Sequence, residues 1–396
     1  MNEAKAAPGA NGGARRAPRV HLRRLGLRNF RNHAETAMLL DGRHVCLYGP
    51  NGAGKTNLLE AVSMLGPGRG IRGSDLPELV RRTPDGPAER SWALSADLCD
   101  GGTDRKISLA LELDEGGRSR RVSKLDGVAA TQADLSEIVR IIWLTPAMDR
   151  VFAGAAGDRR KFFDRQVLAH SPAHGPAAAA YEKAMRNRNA LLEQPGPDSA
   201  WLEALERRMA EAGAAIAVYR AQALARMQAA IDGRPDGAFP KADLELDGRF
   251  EGMAAAAPDL MAIECELASA LRSGRSRDAA AGRTLDGVHR TELRVMHRAK
   301  EMPAADCSTG EQKALLMGLV LANAQALFER DFAPHPLLLL DEAAAHLDSD
   351  RRAALFDELS ALGGQAWLSG TDRSLFDAFG DRAQRFGVSD GQVRED

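Results

Sequence analysis

No stretch of this sequence approaches the roughly 18 consecutive apolar residues of a membrane-spanning helix, and the N-terminus has no apolar signal core. Membrane and secretory roles are therefore not expected. Cysteine is scarce: Cys46, Cys99, Cys265 and Cys307 stand far apart, without a CxxC pair or zinc spacing. That pattern fits reduced, mostly buried thiols of a cytoplasmic protein, not a disulfide framework or a structural metal. Aromatic residues make up only 5%, and lysine is rare, nine of 53 basic residues. A global positive field is also missing. The formal net charge is -2, so any contact with nucleic acid must come from local arginine patches.

What remains is ordinary globular material, 44% hydrophobic and 27% charged over 396 residues, enough for two or three cores. Residues 1–17 are rich in Ala, Gly and Arg without apolar periodicity and read as a disordered basic tail. A strand-like alternation starts at Val20-His21-Leu22, and a second apolar run, Arg43–Tyr48, meets a glycine turn at Gly49. Beyond the turn, Asn57–Leu65 has helical spacing. Two strands of an antiparallel sheet are expected at Trp92–Leu98 and Ile107–Leu113, followed by a turn at Gly116-Gly117. From Pro172 to Asp232 the chain turns helical in composition, and Pro195-Gly196-Pro197 breaks it into a helical hairpin. A Gly/Pro/Asp-rich stretch, Gly233 to Gly252, separates this hairpin from a helix near Ile263–Leu271. The expected organisation is an α/β head formed by 18–155 and 281–396, with a mainly helical lobe inserted over 156–280.

The chemistry concentrates in four places. Gly49-Pro50-Asn51-Gly52-Ala53-Gly54-Lys55-Thr56, followed by Asn57, fits G-x-x-x-x-G-K-[ST] between a strand and a helix. Its glycines let backbone N–H groups wrap a phosphate, Lys55 supplies charge, and the Thr56 hydroxyl is a magnesium ligand. Because lysine is rare here, chance produces this match in only about one such chain in a hundred. Second, Leu337–Leu340 reads as a buried parallel strand ending in Asp341 and Glu342. Asp341 is expected to hold Mg²⁺ through water, and Glu342 to act as general base toward a water. Without the glycine loop, this motif could simply be a strand ending in two surface acids. Third, Ser308-Thr309-Gly310-Glu311-Gln312-Lys313 opens a helical pattern about 30 residues before Asp341. Ser308 could simply cap that helix, but the order matches the signature motif and acidic strand of ABC ATPases. In that class the signature helix closes on the γ-phosphate held by a second subunit. Last, Ala343–Asp348 looks like a D-loop, and Gln365–Asp372 places Thr371 where transporter ATPases have a switch histidine.

Together with Asn29-Phe30-Arg31-Asn32, Gly287-x-His289-Arg290 and Arg188-Asn189-x-Leu191-Leu192, these motifs resemble the RecF family, bacterial DNA-repair ATPases of the ABC/SMC class. The resemblance runs from about residue 20 to the end of the chain. It implies an ABC-type head of mixed sheet and flanking helices with a helical arm, weak Mg²⁺-dependent ATP hydrolysis, and a homodimer formed with ATP. It also implies binding to gapped DNA or single-strand/double-strand junctions, and cooperation with RecR and RecO in loading recombinase. Arg31, by its place ahead of the P-loop, is expected at the nucleotide. One departure concerns the Q-loop region, where the family has Pro-Glu-Asp and this chain reads Pro146-Ala147-Met148-Asp149. The loop Pro67–Arg72 follows the family's arginine-containing pattern only loosely.

Candidate DNA contacts are the clusters Arg118/Arg120/Arg121, Arg159/Arg160/Lys161, Arg186/Arg188, Arg207/Arg208 and Arg272/Arg275/Arg277; for any one of them a solvated helix face or loop is the favoured reading, and the expectation of phosphate contact rests on the set. Two other functions fit the motifs. An ABC-transporter ATPase subunit would carry a switch histidine and a Q-loop glutamine, and Thr371 and the helical insertion argue against it. A nucleotide-gated DNA-binding module with negligible turnover would share every motif.

Overall fold

The computed structural model describes residues 20–83, 86–87, 90–113, 117–329, 334–345 and 347–396. The expected tail at 1–17, Gly116 of the expected turn and His346 of the D-loop segment lie outside these. The chain begins β1 (Val20–Phe30), β2 (His33–Leu39), β3 (His44–Tyr48) and α1 (Lys55–Ser63). A small hairpin, β4 (Arg82–Thr83) and β5 (Gly86–Pro87), precedes β6 (Ala93–Asp100), β7 (Thr103–Leu113), β8 (Ser119–Leu125) and β9 (Val128–Ala129). Next come α2 (Gln132–Ser136), β10 (Arg140–Leu144), α3 (Ala156–His170), α4 (His174–Leu192) and α5 (Ser199–Gly233). Then follow β11 (Ala242–Asp247), α6 (Arg249–Ala256), α7 (Leu260–Ala281), β12 (Glu292–His297), β13 (Met302–Pro303) and α8 (Thr309–Phe328). The chain closes with β14 (Pro336–Leu340), α9 (Ser349–Leu362), β15 (Ala366–Gly370), β16 (Ala383–Ser389) and β17 (Gln392–Glu395).

Among the described residues, two six-stranded sheets make the head. One is antiparallel, in the order β2-β1-β6-β7-β8-β9. The other runs β10-β14-β15-β3-β16-β17 and is parallel except for β17. Its strand β14 is an unbroken apolar run, buried at every position because both faces of the sheet are covered there. Leu337 and Leu339 join a core shared with α1 and the antiparallel sheet, while Leu338 and Leu340 face α8 and α9 on the other side. A head of this class, with a mainly helical insertion, is the architecture expected from the motifs.

The helical segment has its own core, built from Tyr181, Met209, Ile216, Phe250, Ile263, Leu267 and their neighbours. The expected hairpin of helices is present as α4 and α5. Packing does not stop at the hairpin, however. Phe162, Phe163 and Val167 of α3 and Ala223, Met227, Ala230 and Ile231 of α5 belong to the same core as Leu338 and Leu340. Arm and head are thus continuous along α5. The stretch 233–252, expected to be a separator, contains β11, which pairs antiparallel with β12 about 50 residues later. Its alternation is easily overlooked, since its outward positions are acids: Asp243 and Asp247 pair with Arg298 and Arg294. Cys46, Cys99 and Cys307 are buried, and Cys265 is exposed on α7.

Candidate nucleotide-binding site

Three neighbouring parallel strands, β3, β15 and β14, deliver their C-terminal ends to one place, where open α/β sheets bind ligands. β3 enters the glycine loop, whose backbone only glycine can follow. At Gly49 (φ 147°) a Cβ would stand 2.1 Å from the Val388 carbonyl oxygen. At Gly54 (φ 116°) it would stand 2.7 Å from the Asn32 side chain. α1 then starts at Lys55 with no side-chain cap and no acid in its first turn. Its N-terminal N–H groups keep the positive end of the helix open to an anion.

The loop is held from below. Asn32 Nδ2 donates to Ala53 O at 2.9 Å, and Asn57 Nδ2 to Asn32 Oδ1 at 2.7 Å. His33 is wholly buried, with Nε2 3.2 Å from Gly54 O and Nδ1 2.9 Å from Gly391 O. Lys55 Nζ lies over the loop, donating to Gly49 O at 2.6 Å and Pro50 O at 2.8 Å. Burial pulls its pKa below the ordinary lysine value, while Glu342 and Asp341 oppose the shift.

The acidic strand meets the loop directly. Thr56 Oγ1 donates to Asp341 Oδ1 at 3.0 Å. Ser369 Oγ donates to the same oxygen at 2.6 Å and accepts the Glu342 N–H at 2.9 Å. Glu342 is in the left-handed region (φ 53°), a strain of about 1–2 kcal/mol that its bond to Ser369 helps hold. A hydroxyl and a carboxylate oxygen side by side are the hard oxygen donors that Mg²⁺ takes, few in number and leaving room for waters and phosphates. Among the described residues no group of three or more His, Cys, Asp or Glu forms a cage of its own.

Lys55, Thr56, Asp341 and Glu342 are therefore brought together. Arg31 and Ser308 have side-chain partners of their own outside this group. Arg31 is engaged by the protein itself: Nε and Nη2 grip the Glu60 carboxylate at 2.8 and 2.7 Å, and Nη1 donates to Glu78 O at 3.0 Å. The cause is Glu60, fully buried on α1 and needing a cation. Arg72 joins it, donating to Glu60 Oε2 at 3.1 Å and Asn57 Oδ1 at 2.6 Å. A recess of about 440 Å³ opens alongside, lined by Arg31, Asn32, Asn57, Arg72, Glu78 and Arg82. Ser308 caps α8 in a reciprocal box with Glu311, whose carboxylate accepts the Ser308 N–H at 3.0 Å. Lys300, first, and Ser308 lower the Glu311 pKa to about 2. Ser308, Gly310 and Thr371 are all exposed.

Sequence reasoning missed Ser369 and His33. Ser369 is a single hydroxyl inside a strand that is otherwise apolar up to Gly370, and that interruption was the available signal. The arginine clusters divide. Arg188 is fully buried among Glu206, Asp278 and Thr284. Arg275 is clamped on Glu206, Arg159 on Glu292, and Arg121 donates to Met64 O at 2.6 Å. These are fastenings within the fold, not free contacts. Arg186, Arg207, Arg208, Arg272 and Arg277 remain on the exposed helix surface.

The profile of the RecF/RecN/SMC N-terminal domain matches residues 21–376. The chain is 50% identical over 383 residues to the DNA replication and repair protein RecF of Brucella suis biovar 1, covering 96% of this chain and 97% of that protein. The chain belongs to the RecF family. Another RecF, from Caulobacter sp. (strain K31), is 49% identical over 382 residues, covering 94% and 97%. In fold, the chain is similar to a structure described as the recombination mediator protein RecF with ATP in the RecFOR pathway. The TM-score is 0.79 at 22% identity, covering 97% of this chain and 99% of that one. An Smc head domain from Pyrococcus furiosus aligns at TM-score 0.51 and 16% identity, covering 95% and 96%. Relatives at half identity along nearly the whole chain set the transporter reading aside. Among the described residues no helix is long and apolar enough to cross a membrane.

Proposed function

We propose that this RecF-family chain is a weak, Mg²⁺-dependent ATPase whose nucleotide state controls pairing of two copies on gapped or junction DNA. The observation that carries the reading is the Thr56–Asp341–Ser369–Glu342 chain of hydrogen bonds beside the glycine loop. It joins a phosphate cradle, two oxygen donors for a cation and a carboxylate base within one short span.

In this reading the loop N–H groups and Lys55 hold the β- and γ-phosphates, and Lys55 exchanges its two carbonyl partners for phosphate oxygens. Thr56 and Asp341 would hold Mg²⁺, which when bound offsets the charge on the transferred phosphoryl group. Glu342 accepts the proton of the attacking water. Ser308 and Gly310, exposed at the positive end of α8, face the γ-phosphate of a second copy, while Thr371, after the C-terminal end of β15, stands at the switch position of its own chain. Arg31 supports the site by neutralising Glu60. DNA contacts come from arginines left on the surface and weaken steeply with salt, since phosphate neutralisation releases counterions. Family membership adds RecR and RecO as partners in a cytoplasmic repair pathway.

The test is ATP hydrolysis by the pure protein, with and without gapped DNA, for the parent and Glu342→Gln. The parent is expected to hydrolyse ATP faster on DNA. The variant is expected to keep ATP affinity and hydrolyse about 100-fold more slowly or worse. A variant that turns over at the parent rate removes Glu342 as base. A parent with no turnover on any DNA would instead be a nucleotide-gated binding module.

A further inference from the structure

The Pro146–Asp149 segment has a single acid, Asp149. It leaves β10 as one tight turn, with Met148 N–H on Thr145 O at 2.9 Å and Asp149 N–H on Pro146 O at 3.1 Å. Ala147 is exposed. Asp149 points to α8, where its Oδ2 lies 2.8 Å from Lys313 Nζ. Both side chains are largely covered, at 26% and 29% exposure.

The surroundings give this pair a meaning beyond a surface contact. Lys313 is one turn inside the capped end of α8, the end that carries Ser308 and Gly310. At its other side the turn is tied to the acidic strand: β10 pairs in parallel with β14, and the Asp341 N–H donates to Leu144 O at 2.9 Å. Asp341, Leu144, the 146–149 turn, Asp149, Lys313 and the first turn of α8 thus form one unbroken mechanical path. A cavity of about 30 Å³, large enough for an ordered water, lies between Thr145, Asp149, Lys313, Asp341 and Glu342.

We infer that the Asp149–Lys313 ion pair is a positioning latch that sets the angle of the α8 N-terminus from the state of the Asp341–Glu342 site in the same chain. It rests on the reading that α8 completes the site of a second copy. A partly exposed ion pair contributes little to folding, so a purely structural role leaves pairing untouched when the charges are removed. A latch role predicts the reverse, with stability kept and ATP-driven pairing weakened.

The experiment uses the full chain with Mg²⁺ and a slowly hydrolysed ATP analogue, comparing the parent, Asp149→Asn, Lys313→Gln, and the charge swap Asp149→Lys with Lys313→Asp. Sedimentation gives the dimer dissociation constant, and a fluorescent ATP analogue at high dilution gives single-chain affinity. The single variants are expected to weaken dimers about five- to tenfold while single-chain ATP affinity stays within about twofold, a coupling effect of ordinary size. The swap is expected to recover most of the loss. A parent that does not dimerise with the analogue removes the reading beneath the latch, and the latch with it. A dimerising parent matched by both single variants overturns the latch alone. Single variants that weaken pairing without recovery in the swap show that charge pairing is not the cause, and also overturn it.

Discussion

The nucleotide site and the helical arm use the same residue types in opposite ways. In the arm, cations are consumed: Arg188 has no exposed surface and spreads its guanidinium over Glu206, Asp278, Thr284 and the Leu271 carbonyl. Arg220 does the same with Asp164, Glu251 and the Val288 carbonyl, fastening α5 to α3 and α6. At the C-terminal ends of the parallel strands the cation is held loosely. Lys55 rests on two loop carbonyls, neutral acceptors that a phosphate can displace, and the nearby Asp341 carboxylate meets the Thr56 and Ser369 hydroxyls. A buried charge with matched acids is structure; a buried charge with weak partners beside open oxygen donors is a site.

That contrast can be broken most forcefully in the arm. Arg188→Met leaves Asp278 and part of Glu206 buried without a counter-charge, and is expected to lower unfolding free energy by about 3–5 kcal/mol. Urea unfolding measures it, and a loss below about 1 kcal/mol would mean that the network is slack. ATP affinity of the folded fraction should be unchanged.

The proton probes the sheet side. His44 accepts the Ala366 N–H on Nδ1 at 3.1 Å, joining β3 to β15. Burial, with the Arg382 charge, lowers its pKa from 6.5 to about 4. The unfolded chain therefore binds a proton before the folded one does. The stability from a neutral His44 is full above about pH 6.5 and is lost as pH falls toward 4, by up to about 3 kcal/mol. His33, also lowered by burial, adds in the same direction. Urea midpoints across this window should fall with acid in the parent and fall less in His44→Gln. An equal fall in both would assign the loss elsewhere.

The smallest effect on folding is expected at the site itself. Lys55→Ala should weaken ATP binding about 10–100-fold while leaving the urea midpoint equal or higher, because a partly desolvated ammonium is removed. A variant that instead unfolds would make Lys55 structural and erase the difference between the two regions.

The legibility of the molecule follows the same division. The glycine loop and the Leu337–Glu342 strand could be read because chemistry fixes the order of residues over a few positions. The parallel sheet followed from an apolar run that alternation could not explain. Arg31 could not be placed, since its fate depends on Glu60, 29 residues away and buried by tertiary packing. The arm arginines looked like a basic surface because their acids, Glu206 and Asp278, lie on other helices. β11 was hidden for a related reason: its partner comes about 50 residues later, across α6 and α7. Long-range polar pairing leaves no local period to read.

The central claim is that a RecF-type site is finished by the α8 end of a second copy. It is tested most directly by mixing Ser308→Arg with Lys55→Ala. Each variant alone assembles two broken sites, whereas the mixed pair has one intact site and one doubly broken. The account predicts that Ser308→Arg still binds ATP as a monomer, that neither variant alone dimerises or hydrolyses ATP, and that mixing restores ATP-dependent dimers with part of the parent hydrolysis. A mixture as inactive as its folded parts, or a Ser308→Arg chain that dimerises and hydrolyses like the parent, would contradict it.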